Sequence, residues 1–164
     1  MDYKIKLRNL TDLDMPLIKK WLSLPHVKRW YHNTEEWLGE LSERFDRYAF
    51  ITHLMVVVND ETVGFCQFFP IEVKGQKWYG TIPMKNTYSI DYLIGNFNYL
   101  SKGLAPKIIQ LLTKKIFSET NAKRIIVQPE EENLKSRRAL INAAYLFDID
   151  NNLFIKYKEC KRRI

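Results

Sequence analysis

Asp91 sits inside an otherwise apolar run, Tyr88–Ile94 (YSIDYLI), and shortly after it the chain turns through a glycine into an amphipathic stretch, Asn98–Leu112 (NYLSKGLAPKIIQLL). The first N–H groups of a helix lack intrahelical partners, and the aligned peptide dipoles leave partial positive charge there, so this joint suits an anion. Gly103 lets backbone approach a ligand closely, and Lys102 adds a mobile cation. Pro106 costs nothing in a first turn, where its missing N–H would have had no helical partner. A pyrophosphate fits such a turn. The spacing is neither the G-x-x-x-x-G-K-[ST] of nucleoside triphosphate loops nor the G-x-G-x-x-G of dinucleotide folds, which excludes both readings. On spacing alone an ordinary strand-to-helix turn remains the alternative.

The elements that must position these residues are legible from periodicity. Tyr3–Arg8 alternates apolar and basic residues as a half-buried strand does. Thr11 and Asp14 form a shortened capping box for a helix whose face carries Leu13, Leu17 and Trp21. A second helix follows Thr34, with Trp37, Leu38, Leu41, Phe45 and Tyr48 as its apolar stripe. Phe50–Val58 and Val63–Phe69 are β-branched and aromatic runs joined by Asn59–Thr62 (NDET), the composition of a hairpin loop. Residues 70–87 contain Pro70, Gly75, Gly80 and Pro83 and show no period. A structureless stretch of this length is uncommon unless functional, which makes it a candidate substrate loop. Tyr88–Ile94 as strand, Leu104–Phe117 as helix with Leu104, Ile108, Leu111, Leu112 and Ile116 inward, and Arg124–Gln128 as strand make a βαβ unit. Asn133 caps a helix through about Ala144, and Leu153–Tyr157 is a last strand. The expectation is one α/β domain over residues 1–164, its mixed central sheet antiparallel early, parallel in the middle, and flanked by helices.

Composition narrows the function classes. The 164 residues are 46% hydrophobic, enough for a proper core. The opening MDYKIKLRNL lacks the apolar stretch of a signal peptide, and no later run approaches the ~18 residues of a membrane span, so a cytoplasmic protein without membrane contact is expected. Cys66 and Cys160 form no CxxC and are expected as free thiols; His26, His32 and His53 show no metal-binding spacing, so no metal is expected. A net charge of +7 and a pI near 9.3 attract anions: nucleic acid, an anionic membrane surface or a phosphorylated cofactor. Part of the excess lies in the tail at 158–164 (KECKRRI), read as solvated.

With those residues in hand, a family resemblance appears. Leu100–Ala105 (LSKGLA) resembles the R/Q-x-x-G-x-G/A pyrophosphate loop of the GNAT N-acetyltransferases, with Leu100 in the Arg/Gln place. IDYLIGNFNYLSKGLAPKII is similar, without a gap, to the same region of the aminoglycoside 6′-N-acetyltransferase-like branch. Asn133–Leu140 (NLKSRRAL) resembles that branch's N-x-x-[SA]-x-x-x-Y, and the N-terminal RNLTDLDMPLIKKWLSLPHVKRWY resembles its opening helix and His-x-x-x-Trp-aromatic segment. The likeness runs over roughly residues 3 to 147.

The resemblance implies a GNAT-like fold and acetyl-CoA as donor. Its pyrophosphate would be wrapped by Leu100, Ser101, Lys102, Gly103, Leu104 and Ala105, with Asn133 and Ser136 at the following helix. Tyr92, Leu93 and Ile94 would offer main-chain groups to the pantetheine arm and the thioester carbonyl, where a backbone N–H can stabilise developing charge. Asp91 matches the position taken as general base or amine anchor. An alkylammonium with a pKa near 10.4 is no nucleophile, so a carboxylate must hold it and help it lose a proton. Trp30, Tyr31, Glu72 and Trp78 would contact the acceptor.

Two departures stand out. Leu140 takes the place of the tyrosine thought to protonate the leaving thiolate, and residues 70–87 offer Glu72 against Lys74, Lys77 and Lys85, a poor match to a polycationic aminoglycoside. The reading is therefore an N-acetyltransferase, monomer or homodimer, acting on a primary amine of a small molecule or peptide by direct attack. A lysine-like or hydroxamate-forming metabolite is a further possible acceptor. The rival is a basic nucleic-acid or ribosome-binding module on a degenerate acetyltransferase fold; the aromatic ribonucleoprotein motifs it would carry are absent.

Overall fold

Two residues set the register of the first hairpin. Asn59 (φ 48°) and Asp60 (φ 69°) both adopt the left-handed conformation, as a two-residue type I′ turn requires, and join β2 (Thr52–Val58) to β3 (Glu61–Pro70). The computed structural model describes residues 2–74 and 77–160. β1 (Ile5–Asn9) pairs antiparallel with β2, and β3 pairs antiparallel with β4 (Thr87–Ile94). β4 and β5 (Arg124–Val127) are parallel, and β7 (Leu153–Tyr157) and β6 (Leu146–Asp148) continue antiparallel. The resulting seven-stranded sheet, in the order β1-β2-β3-β4-β5-β7-β6, is the expected mixed sheet. The added β6 edge is too short to leave a period in the sequence.

Helices cover both faces, so β2 and β3 are buried along nearly their whole length instead of alternating. One face, through Leu54, Val56, Cys66, Phe68 and Ile90, packs on α5 (Leu104–Glu119) and α6 (Leu134–Asn142). The other, through Met55, Phe65 and Leu93, packs on α1 (Met15–Leu22), α2 (Pro25–Lys28) and α3 (Thr34–Ser42). Fully burying each such side chain contributes roughly 1.5–3 kcal/mol.

Several details differ from the sequence pattern, each for a local reason. Thr11 and Asp14 do form their box, the Asp14 carboxylate accepting from the Thr11 N–H at 2.9 Å, but the box opens a 3-10 turn over Asp12–Asp14. Leu13 therefore lies off the α-helical face and is 91% exposed, while Ile18, Trp21 and Leu22 form the buried stripe of α1. α3 stops at Ser42, which leaves Phe45 outside the helix, 77% exposed under the Arg44 guanidinium. Leu111 is only half-buried, and Ile109 takes its place in the core. Residues 70–87 begin with a helical turn, α4 (Ile71–Lys74), and bury Tyr79 and Ile82 against Ile126 and Ile155, so much of the candidate loop is core. Gly75 of that loop lies outside the described residues, as do residues 161–164 of the basic tail.

Two features of β4 prepare the site. Its ladder to β5 is made only at Thr87–Arg124 and Tyr88–Ile125, after which the strands diverge. At its end a Cβ on Gly95 would stand 2.0 Å from the Trp21 ring, so glycine is what lets the chain pass α1 and enter the loop toward α5.

Candidate active site

In an antiparallel ladder successive residues direct their main-chain groups to opposite edges, each residue's N–H and C=O leaving together. The Gly95 N–H reaches the Val63 carbonyl at 2.9 Å, on the β3 side. Tyr92 and Ile94 face the other edge. The Tyr31 hydroxyl donates to the Tyr92 carbonyl, and His26 Nε2 lies 3.1 Å from the Ile94 carbonyl. The N–H groups of Tyr92 and Ile94 thus point into the gap left by β5, while the main chain of Leu93 is committed to β3. Side chains alternate as well: Asp91 projects toward the α1–α3 face and Tyr92 toward the α5–α6 face.

The gap opens into a cavity of about 1100 Å³ that reaches both faces of the sheet. At one end stand Leu100, Ser101, Gly103, Leu104 and Ala105, leading into the sixteen-residue α5. Ser101 (φ 58°) and Gly103 (φ 72°) are both left-handed, which turns successive N–H groups toward one concavity. A Cβ on Gly103 would meet nothing within 4 Å, so the cradle is open where a side chain would fill it. Lys102 is exposed and outside the lining. Asn133 caps α6 by accepting from the Ser136 N–H at 3.2 Å, and both residues line the cavity. This donor set, backbone N–H groups on a helix N-terminus with an open strand edge beside it, fits a long cofactor with a diphosphate and an amide-bearing arm.

Asp91 marks the other end, half-buried. One oxygen of its carboxylate accepts from the Gln67 amide at 2.9 Å, and the same amide nitrogen lies 3.2 Å from a carboxylate oxygen of Glu40 on α3. Gln67 is fully buried and stands opposite Asp91 in the β3–β4 register. Sequence reasoning missed Gln67 and Glu40. The available signal was one amide in the apolar run VGFCQFF, which is costly to bury unless it is bonded. Trp30, Tyr31, Trp37, Phe69 and Trp78 wall this end; Tyr31 meets Trp37 edge-on at 5.0 Å, and the Arg29 guanidinium lies 4.6 Å over the Trp30 ring. Glu72 is exposed on α4 and outside the lining, because α4 turns it away from the cavity. At the rim His32 bridges to Glu130, joining the α2–α3 connection to the loop before α6.

The two hydroxyls on the α5–α6 side are paired: Tyr92 and Ser136 share a hydrogen bond. Burial is the main cause that pushes the Tyr92 phenol up to about 12. Leu140, fully buried, is absent from the lining, and the Tyr145 hydroxyl is 2.7 Å from that of Thr113 on α5, also outside it. Cys66 is buried, its thiol pushed up by desolvation, and Cys160 is exposed; neither is disulfide-bonded nor lines the cavity. Among the described residues no cluster of His, Cys, Asp and Glu could hold a metal, and no helix is long and apolar enough to cross a membrane.

A sheet splayed after two ladder pairs, with a glycine loop and helix N-terminus at the opening, is the architecture of an acyltransferase. Comparison with known proteins agrees. The acetyltransferase (GNAT) domain matches residues 11–150, so the chain belongs to that family: it is an N-acetyltransferase and acetyl-CoA is its donor. Aminoglycoside N(6′)-acetyltransferases type 1 from Klebsiella pneumoniae and Serratia marcescens are each 24% identical to it over 147 residues, covering 86% of this chain and 73% of theirs. The crystal structure of aminoglycoside acetyltransferase AAC(6′)-Ib with coenzyme A and kanamycin superposes with a TM-score of 0.78 at 21% identity, covering 94% of this chain and 95% of that one. An uncharacterized Bacillus halodurans protein superposes at 0.80 with 16% identity, covering 94% and 84%.

Proposed function

We propose that the protein transfers the acetyl group of acetyl-CoA to a primary amine of a small molecule or peptide, by direct attack while both substrates are bound. The observation that carries this reading is that a carboxylate, Asp91, and a helix-N-terminal anion cradle, Ser101–Ala105, stand at opposite ends of one cavity, with an open strand edge between them. Bound acetyl-CoA would supply an acetyl group activated as a thioester. Leu100–Ala105 would hold its diphosphate end, Asn133 and Ser136 at the start of α6 would line the arm that leads to the thioester, and the N–H groups of Tyr92 and Ile94 would donate to the acyl oxygen as negative charge develops there.

Asp91 holds the incoming amine and takes its proton. An aqueous carboxylate with a pKa near 3.9 is a feeble base, so Asp91 acts through position and charge, with Gln67 fixing its orientation. The aromatic walls at Trp30, Tyr31 and Trp78 shape the acceptor pocket. Direct attack is supported by the cysteines, neither of which reaches the cavity to carry an acyl group. Two free thiols are also in keeping with a cytoplasmic protein.

The relatives are aminoglycoside acetyltransferases, so aminoglycosides are the first acceptors to try. In this chain Glu72 lies outside the lining and Glu130 is bridged to His32, which leaves Asp91, Glu40 and Glu132 as the carboxylates near the acceptor, so a monoamine is tried beside the polycation. The test is release of free CoA from acetyl-CoA in the presence of a simple monoamine, a lysine-bearing peptide or an aminoglycoside. Faster release with the monoamine or peptide than with the aminoglycoside supports the reading. Release with none of them, by protein that binds acetyl-CoA, overturns it.

A further inference from the structure

The family's α6 tyrosine is replaced here by Leu140, which is fully buried and absent from the cavity lining. Three tyrosines do line the cavity: Tyr31, Tyr92 and Tyr99. The Tyr31 hydroxyl donates to the Tyr92 carbonyl, and the Tyr99 hydroxyl donates to Glu61 at 2.5 Å. Tyr92 differs. Its side chain leaves β4 on the face opposite Asp91, and its hydroxyl meets another hydroxyl, Ser136, so that either can donate.

We infer that Tyr92, positioned by Ser136, is the acid that protonates the departing thiol sulfur, in the role that an α6 tyrosine fills elsewhere in the family. The inference rests on the cavity being the acetyl-CoA site. As the amine nitrogen bonds to the acyl carbon, the carbon–sulfur bond breaks. Tyr92 Oη gives its proton to sulfur, Ser136 passes a proton back to the phenolate from solvent, and the proton shed by the amine goes to Asp91. Charge balances on both faces of the sheet: the base lies on the acceptor face and the acid on the donor face, on adjacent residues of one strand.

Burial raises the Tyr92 phenol and so weakens it as an acid; the assignment rests on its place in the cavity and its contact with Ser136. Asp91 on its own strand also pushes the Tyr92 phenol up, and beyond burial Tyr92 in turn raises Tyr31 and Tyr145. Ser136 is a small hydroxyl at a place where the resembling motif also accepts alanine, so its removal is compatible with the fold.

The test is titration of the thiol of bound CoA, followed by ultraviolet absorbance of the thiolate, in wild type, Tyr92→Phe and Ser136→Ala, with CoA affinity measured by calorimetry in each. A hydroxyl donating to sulfur stabilises the thiolate, so Tyr92→Phe should raise the bound thiol's pKa by about one unit with little change in affinity. Ser136→Ala should raise it by less. Once an acceptor is found, Tyr92→Phe should lower kcat by about 10²-fold without raising KM for acetyl-CoA. An unchanged thiol titration in Tyr92→Phe overturns the inference. If that variant does not fold, an unchanged titration in Ser136→Ala does the same. Failure of folded wild-type protein to bind CoA would instead remove the cofactor reading on which the inference stands.

Discussion

The two ends of the cavity are built in opposite ways. The proposed donor end is local: Leu100–Ala105 and the first turn of α5 are contiguous in sequence, and their capacity to hold an anion would come from backbone N–H groups that any side chains would leave in place. The acceptor end is assembled from afar. Trp30 and Tyr31 come from the α2 segment, Gln67 from β3, Trp78 from the loop after α4, and Asp91 from β4, so its chemistry depends on side chains the fold must bring together. A backbone-built site can persist while sequences diverge. A side-chain-built site changes with each substitution.

That contrast can be broken experimentally. Asp91→Asn should give the largest loss, about 10²–10⁴-fold in kcat/KM for the amine, with acetyl-CoA binding unchanged in calorimetry. Lost cofactor binding in that variant would show the two ends to be one energetic unit. Gln67→Leu removes the amide that orients Asp91 and should lower kcat/KM by about tenfold, since a hydrogen bond to a charged group contributes ~1.5 kcal/mol. Lys102→Ala probes the donor end and should weaken acetyl-CoA by no more than about fivefold, because an exposed charge contributes at most ~1 kcal/mol. Glu72→Gln should leave acceptor kinetics unaltered, as its carboxylate lies outside the lining.

Stability gives a control outside both ends. Arg8 clamps the Asp14 carboxylate with two hydrogen bonds of 2.7 Å and holds it below the usual carboxylate range. A carboxylate with a depressed folded-state pKa stabilises the protein above its unfolded value, near 3.9, and that contribution is lost as pH falls through the folded-state pKa. Denaturant unfolding of Asp14→Asn should therefore show a smaller loss of stability on acidification than wild type, with cofactor binding at neutral pH intact.

Legibility in the sequence followed the same division. The β4–loop–α5 joint was readable because its determinants are short-range: an apolar strand, a glycine, a helix face. The hairpin was readable from Asn59–Thr62 (NDET) for the same reason, although the turn itself is Asn59 and Asp60, and Glu61 and Thr62 already belong to β3. Leu13 and Phe45 misled because a 3-10 turn and an early helix stop shift the face without altering apolar spacing. Glu72 misled because the helical turn α4 is too short to register as a period. Gln67 and Glu40 were invisible as a pair, since only the β3–β4 register and the packing of α3 place them around Asp91.

The central claim is that the opening between β4 and β5 is the acetyl-CoA site. Calorimetric titration of acetyl-CoA into wild type and Gly103→Trp tests it most directly. The substitution puts a bulky side chain, at an unfavourable left-handed φ, into the open cradle before α5. The account predicts saturable binding by wild type that the variant abolishes while keeping its circular dichroism spectrum. Folded wild-type protein without binding, or a folded variant that binds as tightly as wild type, would contradict it.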